Sequence, residues 1–264
     1  VTRTAATVEG AADPVRAALL RYVLRLGDTS LVLGQRLGEW IGHAPALEED
    51  LGLANIALDL IGQARLLLTY AGEIEGRGRD EDALAFLRDG SDFFNLTLVE
   101  QPNGDFGRTI VRQLLVDAWQ LEVYEALCAS TDRRLAEIAA KAVKETRYHL
   151  RYSAGWTVRL GDGTEESHRR VQTALDELWP FTVELVTADE IDALLASRGI
   201  APPLEELAPR WNARIDEVLR EATLQRPADV PYAWFGKQGV HSEHLGYLLA
   251  EMQFLQRAYP GARW

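Results

Sequence analysis

Glu39, Asp59, Asp117, Glu145 and His149 each fall on or beside the apolar stripe of a predicted long helix. Inward carboxylates with an imidazole are what a helical bundle uses to hold a bridged metal pair, and the di-iron version draws a Glu-x-x-His motif from each of two helices. This chain cannot assemble that set. Of its five histidines, only His168 follows a glutamate at the required spacing, Glu165. That pair lies in the polar stretch 161–170, which reads as the exposed start of a helix. Three residues beyond Glu145 stands Tyr148, and three beyond Asp59 stands Gly62. Neither offers an imidazole, so the scaffold of a metal bundle is present without its ligands.

The periodicity makes these polar groups hard to dismiss. Ile110, Leu114, Leu121 and Tyr124 follow three-four spacing with Asp117 in their midst. Ile138, Ala142, Tyr152 and Trp156 align with Glu145 and His149, which are one turn apart and point the same way. Val32, Arg36, Glu39 and His43 share a line, as do Ile56, Asp59, Gln63 and Leu67. A carboxylate in such a stripe needs compensation, because an unpaired buried charge is very costly. Three routes are open: a metal, ion pairs with Arg36, Arg65, Arg112, Lys144 or Arg147, or a solvated helix edge. The expectation carried forward is an inward network of salt bridges in place of a di-iron site.

Other chemistry is sparse. His241-x-x-His244 beside Glu243 has helical metal-binding spacing, although histidines opening a helix also serve as caps or interface groups. There is no Gly-rich phosphate loop, no nucleophile elbow and no Cys pair for zinc. Tyr232, Trp234 and Phe235, set between Pro231 and Gly236, form an aromatic loop that would dock a partner together with His241 and His244, or fold back onto its own bundle. The terminal Trp264 carries the same two readings.

Helices must position these groups, since no strand-like alternation runs long enough for a sheet. Asp13-Pro14 reads as a cap followed by a first-turn proline, opening a helix that runs to about Ile41. A second helix spans Leu47 to about Gly72, with Glu48, Glu49 and Asp50 at its dipole's positive end, and Gly76-Arg77-Gly78 closes it. A short helix over 80–87 precedes an irregular stretch ending at Gln101-Pro102-Asn103-Gly104-Asp105. Two long helices, 106–129 and 132–160, are separated by so few residues that they must be antiparallel neighbours. Further helices are predicted from 165 to Trp179 or beyond, where Pro180 would kink it, and over 188–198, 204–224 and 243–259. The fold class is therefore all-α, with a flexible leader at 1–12 and one helical domain over 13–264.

Composition bounds the function. The chain has 264 residues, 47% of them apolar, and a formal net charge of −12. That charge disfavours phosphate-backbone binding, so no nucleic-acid partner is expected, and protein or small-molecule partners are favoured. No uninterrupted apolar run approaches the roughly 18–20 residues of a spanning helix, so no membrane partner is expected either. The start of the chain lacks the apolar region of a signal peptide. Cys128, the single cysteine, reads as a small buried core residue and fits a reducing, cytoplasmic setting.

Several long strings carry a resemblance. They are Leu-Arg-Leu-Gly-Asp at 24–28, Gln-Arg-Leu-Gly-Glu-Trp-Ile-Gly-His-Ala-Pro at 35–45 and Leu-Asp-Leu-Ile-Gly-Gln-Ala-Arg at 58–65. Leu-Val-Glu-Gln-Pro-Asn-Gly at 98–104, Tyr-His-Leu-Arg at 148–151, His-Ser-Glu-His-Leu-Gly at 241–246 and Ala-Glu-Met-Gln-Phe-Leu-Gln-Arg at 250–257 continue it. From Leu24 to Trp264 the chain resembles the PaaC-type subunit of bacterial ring-1,2-phenylacetyl-CoA epoxidase, the phenylacetate-degradation oxygenase. The resemblance implies a ferritin-like antiparallel bundle with additional C-terminal helices, without iron, cofactor or active site of its own. It implies pairing with a homologous catalytic subunit that carries the di-iron centre, alongside the other subunits of a complex that epoxidises the ring of phenylacetyl-CoA with O2 and electrons from a reductase. No catalytic, cofactor-binding or metal residue is carried over. The competing readings are an active di-iron oxygenase with an atypical ligand set and a free-standing acyl-CoA-binding module; a homodimer of the isolated chain is compatible with any of them.

Overall fold

The computed structural model describes residues 13–231 and 233–262; the leader 1–12, Tyr232 and Trp264 lie outside them. Among the described residues the regular structure is helical, apart from an isolated bridge between Phe235 and Val240. The helices are α1 (Pro14–Trp40), α2 (Leu47–Glu75), α3 (Glu81–Phe86), α4 (Thr97–Glu100), α5 (Phe106–Leu127) and α6 (Arg133–Gly161). They continue as α7 (Glu165–Leu178), α8 (Val183–Val186), α9 (Glu190–Ala196), α10 (Leu204–Glu221), α11 (Glu243–Met252) and α12 (Phe254–Ala258).

Local chemistry explains most boundaries. The Asp13 carboxylate accepts from the Val15 amide and Pro14 occupies the first turn of α1. Asp80, Asp105 and Asp132 cap α3, α5 and α6 in the same manner, each satisfying an amide that has no partner within its own helix. Gly76 ends α2 in the left-handed conformation, φ 71°, which a glycine adopts without a Cβ clash.

Short connections fold α1 back on α2 and α5 back on α6. Gly27 and Gly34, two turns apart, let α1 approach α2 closely: a Cβ on them would sit 3.0 Å from Leu68 Cδ2 and 3.1 Å from Ile61 Cδ1. The α2 and α6 helices also pack together, and the Tyr70 hydroxyl on α2 donates to the Asp132 carboxylate at the start of α6 (2.6 Å). Gln120 on α5 donates to the Ser30 hydroxyl on α1. The result is an antiparallel four-helix bundle with additional C-terminal helices, consistent with a ferritin-like arrangement. Its core is one apolar cluster that includes Val32, Leu33, Ile56, Leu60, Leu114, Leu121 and Ile138. Outside it, α7 and α10 pack on α5 and α6, while α9 and α11 pack on α1.

Four sequence expectations change. The helix expected over 243–259 breaks at Gln253, whose buried amide donates to the carbonyls of Ala85 and Arg88 (3.0 Å each). The irregular stretch after Leu87 contains α4, a single helical turn. Pro180 sits in a 3₁₀ turn after α7 has ended at Leu178. Lastly, α2 is long and apolar enough by length and composition to cross a bilayer, with an 18-residue window of mean hydropathy 1.4 that is half buried. The polar residues that interrupt its apolar run are too few to lower that mean.

Candidate functional site

The bundle interior holds Asp117, fully buried on α5. Its carboxyl oxygens meet the amide of Gln113 (2.6 Å) and the hydroxyl of Ser153 on α6 (2.8 Å). No lysine or arginine pairs with it among the described residues. Burial pushes this carboxyl up to about 8, against the weaker opposing pull of its two neutral partners, so it is mostly protonated at neutral pH. The expected ion pair is therefore absent at this position. The group is compensated by losing its charge and not by a cation.

Asp59, Gln63, Glu145 and His149 meet between α2 and α6. The Gln63 amide donates to Glu145 (3.1 Å), and His149 Nε2 lies 3.0 Å from an Asp59 oxygen. The His149 ring is buried while Asp59 remains 39% exposed. Burial lowers the His149 pKa more than its bond to Asp59 raises it, so the ring is neutral and donates from Nε2 to the carboxylate. Burial, with the nearby Asp59 charge, raises Glu145 above the usual carboxylate range. This cleft corresponds to the partly solvated edge among the compensations considered above, and its carboxylates have no Arg or Lys ion pair among the described residues. Tyr148 does not occupy an inward ligand position. It is 40% exposed, because a residue three beyond Glu145 on α6 turns outward where His149 turns in. Gly62 has open space beside it.

Glu39 lies apart from both groups and pairs with Arg36 (2.8 Å) one turn before it. Of the cations proposed as neutralising partners, Arg36 alone does so. Arg65 pairs with Glu81 and Arg147 with Glu125, while Arg112 donates to the Gln101 carbonyl and the Asn103 side chain. The five inward candidates thus form three separate arrangements. Among the described residues no three His, Cys, Asp or Glu side chains converge as a metal site would need. Asp117 meets hydrogen-bond donors, His149 Nε2 is already bonded to Asp59, and Glu39 faces a guanidinium. These residues do not fit a di-iron centre.

The buried ionic network lies elsewhere, at the join between α1 and the C-terminal segment. Asp28 and Arg88, both essentially inaccessible, pair there, and Asp28 also accepts from the Phe94 amide (2.9 Å). Arg25 pairs with Asp189 and donates to the Lys237 carbonyl (3.1 Å). The Lys237 ammonium reaches Asp192 (3.0 Å) and the Thr187 carbonyl (2.6 Å). Glu184 accepts the amides of Thr97 (2.7 Å) and Lys237 (3.0 Å). Glu100 accepts from Asn95 (2.9 Å), from the Ser242 amide (2.8 Å) and hydroxyl (2.6 Å), and from His241 Nδ1 (2.5 Å). Sequence periodicity missed this cluster because all its members except Arg25 and Asp28 on α1 lie on short helices and connectors. Even so, Arg25, Asp28, Glu100 and His241 all stand within the strings that carried the family resemblance.

Two comparisons with known proteins bear on this geometry. Residues 5–264 match the family described as phenylacetic acid catabolic protein. The chain belongs to this family. It is 56% identical over 246 residues to a subunit of the 1,2-phenylacetyl-CoA epoxidase of Escherichia coli (strain K12), covering 93% of this chain and 99% of that one.

The positions expected to dock a partner differ in their surroundings. Trp234 stacks on Phe181, with ring centroids 4.4 Å apart, so the loop folds back onto its own chain there. Phe235 is 44% exposed. His241 is a strut inside the join: both ring nitrogens face acceptors, Glu100 and the Phe93 carbonyl (2.8 Å). Burial opposes charge on this ring, but the Glu100 carboxylate and the Phe93 carbonyl outweigh it and raise the pKa. Thus His241 is neither a docking group nor a free metal ligand. His244 is partly buried on α11, and its carbonyl accepts weakly from Arg36 (3.4 Å). Cys128 is exposed and not a buried core residue, because it caps α5 just past the buried Leu127 and faces away from the core that Tyr124 and Leu127 enter.

Proposed function

We propose that this chain is a non-catalytic structural subunit of a multicomponent phenylacetyl-CoA 1,2-epoxidase. It pairs with a homologous subunit that carries the di-iron centre, stabilises that subunit, and acts in the cytoplasm during aerobic phenylacetate breakdown. The near-full-length identity to a subunit of that enzyme from Escherichia coli carries the reading. The interior of the bundle supports it. Asp117 meets only neutral donors, and the other inward carboxylates are too scattered to bridge two metal ions.

Metal analysis tests this directly. The chain purified aerobically by itself is expected to carry no stoichiometric iron, while its complex with the catalytic partner contains that partner's iron. Iron near two per isolated chain, with an oxo-bridge absorption band, would favour the atypical oxygenase instead.

A further inference from the structure

Helix α2 is apolar on two faces, and only one of them is covered. Leu53, Ile56, Leu60, Ala64 and Leu67 are buried against the bundle. On the outer side Leu47, Leu51, Ala54, Leu58 and Ile61 recur at alternating four- and three-residue steps. That is the 3.5-residue period of a seam made to receive another helix. Leu47 is 70% exposed, Leu51 56%, Leu58 69% and Ile61 41%. An apolar helix face is normally packed against a neighbour, and this stripe extends roughly 21 Å at 1.5 Å per residue. Asp59 and Glu145 flank it, half-buried and without a Lys or Arg ion pair among the described residues.

We propose that the outer face of α2 seats a long helix of a different subunit, one that sets apolar residues along this seam and places lysine or arginine against Asp59 and Glu145. This rests on the subunit reading above and names the surface it uses. A second copy of the chain fits poorly. Antiparallel pairing of α2 with itself, centred on Ala54, would bring Asp59 to the level of the exposed Glu48 of the second copy, and like charges across an interface disfavour the pair. A basic helix removes that conflict and supplies the cations that the bundle itself does not.

The test is co-purification of the full chain with its cognate epoxidase subunits, with solution mass measured for the chain alone. Leu51→Asp/Leu58→Asp places two carboxylates in the seam and is expected to weaken association roughly a hundredfold. Leu58→Lys, a good helix former, is expected to weaken it by about tenfold. Both variants should melt like the wild type, since the altered side chains are exposed. Tyr247→Asp/Phe254→Asp, on the other exposed apolar patch, should leave association unchanged. Wild-type co-purification by the α2 variants, with or without loss by the α11–α12 variant, overturns the surface while leaving the subunit reading intact. An isolated chain that is dimeric and becomes monomeric in the α2 variants, with co-purification unaffected, assigns the face to a second copy and also overturns it. A wild-type chain that co-purifies with no subunit overturns both.

Discussion

Replacing Asp117 with asparagine should make this protein more stable at neutral pH. The buried carboxyl rises from 3.8 to about 8 on folding, so between those values the folded chain holds a proton that the unfolded chain has released. A group with a raised folded pKa contributes its stability at low pH and loses it as pH rises towards the folded value. The slope is about 1.4 kcal/mol per pH unit, so by pH 7 the wild type has given up about 4 kcal/mol at this site. Asparagine carries no such cost, but it presents an amide where the protonated acid has a hydroxyl. Re-pairing with Gln113 and Ser153 sets about 1 kcal/mol against the gain, which leaves a net gain of about 3 kcal/mol. Denaturant unfolding at pH 5, 6, 7 and 8 measures it. The variant should exceed the wild type most at pH 7–8, lose its advantage at about pH 4–5 where the re-pairing cost equals the gain, and show a shallower decline with pH. An ionised, cation-paired Asp117 gives the opposite sign, since removing one partner of a buried pair costs about 3–5 kcal/mol. A D117N protein less stable than wild type at pH 7, with an unchanged pH slope, would refute the reasoning.

Two further outcomes follow from the join. Asp28→Asn strands the Arg88 guanidinium in a site closed to water and should cost about 3–5 kcal/mol, roughly 10 °C in Tm for a chain of this size, read by calorimetry. His241 has a raised folded pKa, so its contribution is complete below the unfolded value of about 6.5 and is lost as pH rises through the folded one. His241→Gln should therefore cost more stability at pH 6 than at pH 8.5, and an equal loss at both would count against an imidazolium between Glu100 and Phe93.

The long helices were legible because their stripes repeat over many turns and their caps are strong local signals. Asp13, Asp80, Asp105 and Asp132 mark starts that α1, α3, α5 and α6 keep. The inward placement of Asp117 and His149 was legible for the same reason. How the acids are compensated was not, because periodicity shows which way a side chain points and says nothing of the partner it meets. Arg112 shares a helix with Asp117 yet turns its guanidinium to the 101–103 turn. Tyr148 and His149 are neighbours whose rings touch, 6.3 Å between centroids, yet one is 40% exposed and the other buried. The ionic join was hidden for a different reason: its partners are brought together by tertiary folding, Arg25 and Asp189 across 164 residues, and no local pattern encodes such a meeting.

That separation bears on how the protein is made. Synthesis delivers the four long helices first, and while they emerge Arg25 and Glu100 lack the counterparts that bury them. Those groups stay hydrated until Glu184, Asp189, Lys237 and His241 leave the ribosome. The nascent bundle therefore holds a wet, unlatched seam, and the last third of the polypeptide is the bolt that shuts it. A chain stopped short of residue 241 would leave that latch open, vulnerable to proteases along the very surface the finished molecule hides.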